Sequence, residues 1–247
     1  MPALALTDNG GLYGAINFYK ACTKEKIKPI IGVDAFLAPR TRFDKDAGID
    51  KPRGRVVFLA KNNNGYKNLI KMVTESFVNG FYYRPRIDHD LITQYHEDLI
   101  CIIPSFSGEP VLALKDLNNE KAEASLDWYK NLFGDDCYLE TTHHPEIDGH
   151  EALQKNILNL SAKMNVPLVA AHDVYYLKQR DHLARETMIK IQTGGTVETQ
   201  DTEGELAPNF SFISQEHAKE LFVTPAEKEA LKNTIKIAEQ CTVEMSP

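Results

Sequence analysis

Three apolar runs in this chain stop at an aspartate: "LALTD" at Asp8, "IIGVD" at Asp34 and "VAAHD" at Asp173. A fourth, "CYLETTHH", ends among Glu140, His143 and His144. Carboxylate oxygens suit hard divalent cations, and imidazole joins them for zinc, manganese or iron. These residues are far apart in sequence, so they meet only if the runs are strands ending on one side of a sheet. In parallel α/β folds ligands bind at that end. Each residue also has a plainer role open to it. Asp8, in "TDNG", has the turn chemistry of a cap for the following helix. Asp34 could hydrogen-bond a neighbouring loop, and His143 and His144 could be a solvated pair.

Rival chemistries find less support. There is no G-x-S-x-G elbow and no G-x-x-x-x-G-K-[ST] phosphate loop, and "HHPEIDGH" is not H-E-x-x-H. Ser105 in "SFSGE" follows a strand-like run, yet no His–Asp partner can be assigned to it. Cys22, Cys101, Cys137 and Cys241 form no C-x-x-C pair, so neither a zinc knuckle nor a redox motif is present. A disulfide framework is not expected in a chain of this length, which points to a reduced, cytosolic protein.

The elements that must position these residues follow from the hydrophobic pattern. Near-continuous apolar runs at 2–8, 28–36, 55–60, 97–105, 136–142 and 166–172 read as strands. Amphipathic stretches follow them near 12–26, 65–80, 108–115, 119–132, 149–165 and 180–195. Continuous rather than alternating runs predict parallel strands covered on both faces. The strand–helix rhythm predicts an α/β fold, either a barrel or an open doubly wound sheet. From about 196 the chain changes character: an acidic loop, then two helices begun by Ser214 and by Thr224–Pro225. Residues 38–55 are basic, with Arg40, Arg42, Lys45, Lys51, Arg53 and Arg55, and "RPR" at 84–86 follows the aromatic "GFYY". Each is a solvated loop or a contact surface for a partner or nucleic acid.

The 247 residues are 43% hydrophobic and 26% charged, enough for one large domain or two small ones. The net charge of −7 argues against a free-standing nucleic-acid binder, but not against a domain riding on a larger nucleic-acid enzyme. The N-terminus lacks the basic and apolar regions of a secretory signal, and no apolar run is long enough to span a membrane.

"MPALALTDNGGLYGAINFYKACTKEKIKPIIGVDAFLAPR", "LAKNNNGYKNLIKMV", "GFYYRPRID", "VAAHDVYYL" and "IQTGGT" resemble the polymerase and histidinol phosphatase (PHP) domain. The version they resemble stands at the N-terminus of bacterial replicative DNA polymerase III alpha subunits. The resemblance runs in the family's order from residue 1 to about 245. It implies an α/β fold, a distorted seven-stranded β/α barrel of PHP type. The chain begins about one β/α unit into that plan and lacks the family's opening H-x-H pair, so the barrel is expected to lack its first strand. Residues 1–195 would form the barrel, and 196–247 an acidic loop and closing helices leading to the polymerase body.

Members with an intact site bind a cluster of divalent metals, usually including zinc, and some hydrolyse phosphoesters or proofread. Here Asn9 stands where the family's "LTDHG" has a histidine, and Asp34 replaces a glutamate. Arg55 replaces a histidine, Ser105 a cysteine, and Tyr175 the histidine of "NDVHYL". Asp8, His144 and Asp173 match ligand positions, with His172 a new neighbour. Arg55 brings a fixed positive charge, and Asn and Tyr are poorer zinc ligands than imidazole. The resemblance therefore implies a degenerate site on Asp8, Asp34, His144 and Asp173. It would hold one weakly bound zinc, manganese or magnesium ion, or none, with Arg55 free to pair with Asp34 or Asp173.

The implied function is a structural scaffold for DNA replication within a DNA-directed DNA polymerase, a nucleotidyltransferase whose own catalytic aspartates lie elsewhere. The alternative is a metal-dependent phosphoesterase or 3′–5′ proofreading exonuclease. The implied partners are the palm and thumb of the parent chain, DNA through that enzyme, and other replisome subunits, with no membrane.

Overall fold

The computed structural model describes residues 1–193 and 208–245. Strands β1 (Ala3–Asn9), β2 (Lys28–Leu37), β3 (Gly54–Ala60), β5 (Leu99–Ile103), β6 (Cys137–Thr141) and β7 (Leu168–Ala170) pair in the order β1-β2-β3-β5-β6-β7. A seventh, two-residue strand, β4 (Arg86–Ile87), pairs with the end of β2. The sheet curls into a half-barrel whose path ends at β1 and β7. The strands fall within two or three residues of the runs legible in the sequence.

Not all neighbours are parallel, as the continuous apolar runs suggested. β3 is antiparallel to both β2 and β5. The reason lies in the connections. A parallel neighbour needs a crossover, usually a helix, to carry the chain back along the sheet. Residues 38–53 contain no helix and return the chain from the end of β2 at the same rim. Between β3 and β5 lie α2 (Asn63–Val78), the short β4, which runs parallel to β2, and α3 (His89–Tyr95), and β5 runs opposite to β3. α1 (Ala15–Lys24), α4 (Glu109–Lys115), α5 (Asn119–Phe133) and α6 (His150–Met164) make the remaining crossovers.

Strand alternation gives the sheet two apolar faces. The larger core contains Val33, Val56, Phe58, Cys101, Ile103 and Leu139 and is covered by helices carrying Leu69, Met72, Leu126 and Ile157. The concave face carries Ile30, Leu59, Ile100, Tyr138 and Val169. Gly32 also lies there, where a Cβ would meet the Phe58 carbonyl oxygen at 2.5 Å. The helix α9 (Pro225–Gln240) fills this face with Ile237, followed by Cys241.

α9 begins with a capping box between Thr224 and Glu227 and with Pro225 in its first turn. Its Asn233 side chain donates to the Leu168 carbonyl of β7 (2.8 Å). At its other end Lys28 reaches the Ala238 carbonyl (2.5 Å), and Thr242 N–H donates to the Lys61 carbonyl (2.6 Å). The closing segment therefore lines the inside of the sheet. α7 (His182–Thr193) and α8 (Gln215–Leu221) precede it, and Ser214 caps α8 at its expected place. The expected boundary at 195/196, most of the acidic loop and part of "IQTGGT" lie outside the described residues.

The basic loop 38–53 is organised around Arg86, whose side chain is fully buried. Its guanidinium donates to the carbonyls of Gly80 (3.1 Å), Asp50 (3.3 Å), Arg42 (3.1 Å) and Asp44 (2.8 Å). Arg40 pairs with Asp50 (2.6 Å) and Arg42 with Asp88 (2.8 Å), the N-cap of α3. The loop is thus held in place by its own charges and carbonyls.

Candidate functional site

The concave face runs up β1, β2, β3 and β6 to a rim of polar side chains. Register places Asn9 opposite Asp34, on the same face as Ile30 and Gly32. Arg55, at the start of the antiparallel β3, arrives at the same rim. Its Nε donates to Asp34 Oδ1 (2.8 Å), and its Nη2 donates to both Asp34 Oδ2 and Asn9 Oδ1. One guanidinium thus ties three strands together. Burial pushes the Asp34 carboxyl upward, Arg55 opposes this, and the nearby Asp173 charge adds to it.

A second group lies at the ends of β5 and β6. Glu140 accepts from both the backbone N–H and the hydroxyl of Ser105 (3.0 Å each). Ser105 Oγ is also 2.9 Å from Thr142 Oγ1. Burial, followed by the charge of Asp173, drives the Glu140 carboxyl up to about 7, with Asp34 contributing and Ser105 opposing. The carboxylates of Asp34, Glu140 and Asp173 are thus near enough to feel one another's charge.

The third group is aromatic. His144 is fully buried, not solvated. Its ring stacks on His172 (centroids 5.2 Å apart) and lies near Phe210 (5.0 Å). Its Nε2 is 3.6 Å from Asp173 and its Nδ1 3.6 Å from Glu146, beyond direct hydrogen bonds. Among the described residues no ring nitrogen of His144 or His172 makes a hydrogen bond of good geometry, although Ser211 backbone lies near His172 and Glu146 near His144. Burial, then the neighbouring His144, pulls the His172 pKa down and favours its neutral form. His150 packs on Phe106 (5.3 Å), and its Nε2 accepts from the His144 backbone N–H (3.0 Å). Tyr175 lies at the outer edge under Arg185 (4.1 Å), and burial raises its hydroxyl pKa.

The structure therefore gathers Asn9, Asp34, Arg55, Ser105, His144, His172, Asp173 and Tyr175 at one rim. Asp8 is set apart. Its register partner is Val33, on the helix-covered face, and its Oδ2 accepts the Gly14 N–H (2.8 Å) at the start of α1. It thus braces the residue before α1, although α1 itself has no side-chain cap. Thr142 and His150 join the site without having been singled out, and Glu140, noted as a strand-end acid, joins it although it was not among the four expected ligands. The signal for Glu140 was available, because it alternates with Tyr138 on the inward positions of β6. Among the described residues no three His, Cys, Asp or Glu side chains converge closely enough to hold a metal ion.

A curled, mostly parallel sheet with carboxylates, imidazoles and one arginine inside its carboxyl rim defines a β/α half-barrel protein with a polar cleft. The PHP domain family matches residues 1–144, and the chain belongs to that family. Its similarity extends beyond the matched segment. It is 40% identical over 243 residues to the DNA polymerase III subunit alpha of Borreliella burgdorferi, covering 98% of this chain and 21% of the relative. Against the same subunit of Treponema pallidum identity is 35% over 246 residues (98% and 20%), and against that of Chlamydia trachomatis 33% over 276 (99% and 22%). The chain thus spans about a fifth of the length of these relatives. Among the described residues no helix is long and apolar enough to cross a membrane.

Proposed function

We propose that this chain is a scaffold unit of a replicative DNA polymerase III alpha subunit, with a cleft that has exchanged metal binding for an internal ion pair. The observation that carries this is Arg55, bonded at once to Asp34 and Asn9. A guanidinium stays protonated, and its charge repels a cation from a low-dielectric cleft. With both Asp34 oxygens engaged and Asp8 turned to α1, a multi-ion centre does not fit these residues. What remains on His144 and Asp173 suits one weakly held zinc, manganese or magnesium ion at most.

In this proposal the closing segment passes from the concave face towards the palm and thumb of the parent polymerase. DNA and other replisome subunits are met through that enzyme, in the cytoplasm. The competing assignment is a metal-dependent phosphoesterase or 3′–5′ proofreading exonuclease. Its support is the ring nitrogens of His144 and His172, which make no hydrogen bond of good geometry. The two are separated by assaying bis(p-nitrophenyl) phosphate and a labelled single-stranded oligonucleotide with added zinc, manganese or magnesium. No rate above a chelated control is expected. A metal-stimulated rate that His144→Ala abolishes would remove the scaffold proposal.

A further inference from the structure

Two residues beyond Asp34, on the same face of β2, the rim carries Phe36. Three guanidinium groups surround the Phe36 ring: Arg53 at 5.9 Å, Arg55 at 5.3 Å and Arg84 at 6.0 Å from its centroid. Arg55 is neutralised by Asp34, and the loop's Arg40 and Arg42 by Asp50 and Asp88. Arg53 and Arg84 have no carboxylate partner among the described residues; Arg84 is exposed, and Arg53 is half-buried, with its Nη1 buried and without a hydrogen-bond partner. Like charges crowded round one ring repel each other, so two unneutralised arginines there favour an anion. This local excess stands out in a chain of net charge −7.

Exposed aromatic rings precede Arg84 in the chain, and through Phe81 their contacts reach α2 and Tyr13 before α1. Tyr83, next to Arg84, is 61% exposed, Phe81 49% and Tyr13 74%. Tyr13 and Phe77 are 6.4 Å apart, Phe77 and Phe81 6.3 Å, Tyr82 and Tyr83 4.7 Å. Tyr83 holds a left-handed backbone (φ 59°), a costly conformation for an aromatic residue. Gly10 (φ 65°) closes the gap to the cleft, where a Cβ would meet Pro85 at 3.0 Å and Phe36 at 3.1 Å. The surface is therefore continuous with the rim.

We propose that Arg53 and Arg84, with the rings of Phe81 and Tyr83, bind single-stranded nucleic acid, its phosphates on the guanidinium groups and its bases on the aromatic faces. Exposed rings flanked by unpaired arginines are the two parts such a site requires, and stacking needs no particular base. A protein ligand would not explain the surplus charge as directly. The inference is independent of the cleft's metal content, so the two can fail separately.

The test is fluorescence anisotropy of a labelled oligothymidylate of about 16 nucleotides, titrated with the whole chain over a range of salt concentrations. Weak binding that strengthens at low salt is expected. Arg84→Ala and Arg53→Ala should each flatten the slope of log K against log salt by about 0.7. Tyr83→Asn, which tolerates the left-handed backbone, and Phe81→Ala should weaken binding about tenfold each while keeping the slope. Circular dichroism melts of these surface variants verify that they fold. Absence of binding at low salt, equal affinity for a duplex, or four variants that bind like the parent would each overturn the proposal; the last two would leave the rings to another ligand.

Discussion

Arg55 is the residue on which the cleft turns. Its side chain is 27% exposed and that of Asp34 19%, so solvent weakens the pair without dissolving it. Removing the arginine leaves a half-buried carboxylate without its counter-charge. Arg55→Ala should lower stability by about 1–2 kcal/mol at neutral pH, after allowance for screening. A denaturant titration checks this; an unchanged midpoint would mean the pair contributes nothing. Glu140 gives a second residue-scale prediction, with a sign set by its raised pKa. The protonated form is favoured in the folded state, so its stabilisation is complete below the unfolded value of 4.5 and lost as pH rises through about 7. Glu140→Gln should therefore melt higher than the parent at about pH 8 and converge with it near pH 5. A constant difference across that range would contradict the assignment. Much at this scale was legible beforehand. Arg55, at the start of a strand where the family resemblance implies a histidine, was expected to pair with Asp34 or Asp173, whereas the cap expected of Asp8 in "TDNG" is replaced by a bond to the Gly14 N–H. The His144–His172 stack was not legible, because it depends on how two loops and residues 208–212 close over one another.

The helix α9 is the element that completes the half-barrel. Ile237 is buried in the concave face among residues of β2, β3, β5, β6 and β7. Ile237→Ala should cost about 2–5 kcal/mol, the usual range for truncating a buried aliphatic side chain. Thr224→Ala, which removes only the cap, should cost about 1 kcal/mol. Thermal melts of the two variants test the ordering, and a larger loss from the cap would show that α9 does not fill this face. The six longer strands and most of the helices were readable from apolar runs, because period and length report burial. Strand direction was not, since a buried strand looks alike whichever way it runs. The missing helix between β2 and β3 was the available clue. α3 and β4 escaped because each is short and Arg86, at the start of β4, reads as a surface residue although it is buried.

For the whole molecule, membership of the PHP domain family and similarity along nearly all its length to polymerase III alpha subunits fix the context, while the cleft decides the proposed role within it. As the resemblance implies that the nucleotide-adding aspartates lie outside this domain, no primer extension is expected from this chain alone. Detectable extension by the purified chain would contradict that. The strand-end acids made a cleft visible in the sequence, and Asn9, Arg55 and Tyr175, standing where the resemblance implies histidines, carried the proposal that it has lost ligands. How many donors still meet there depends on side-chain directions that no linear pattern encodes. The most direct measurement is the metal content of the chain, purified without chelator and then dialysed, by inductively coupled plasma mass spectrometry. At most one divalent ion per chain, removed by mild dialysis, is expected. Two or more tightly retained ions would contradict a cleft closed by Arg55.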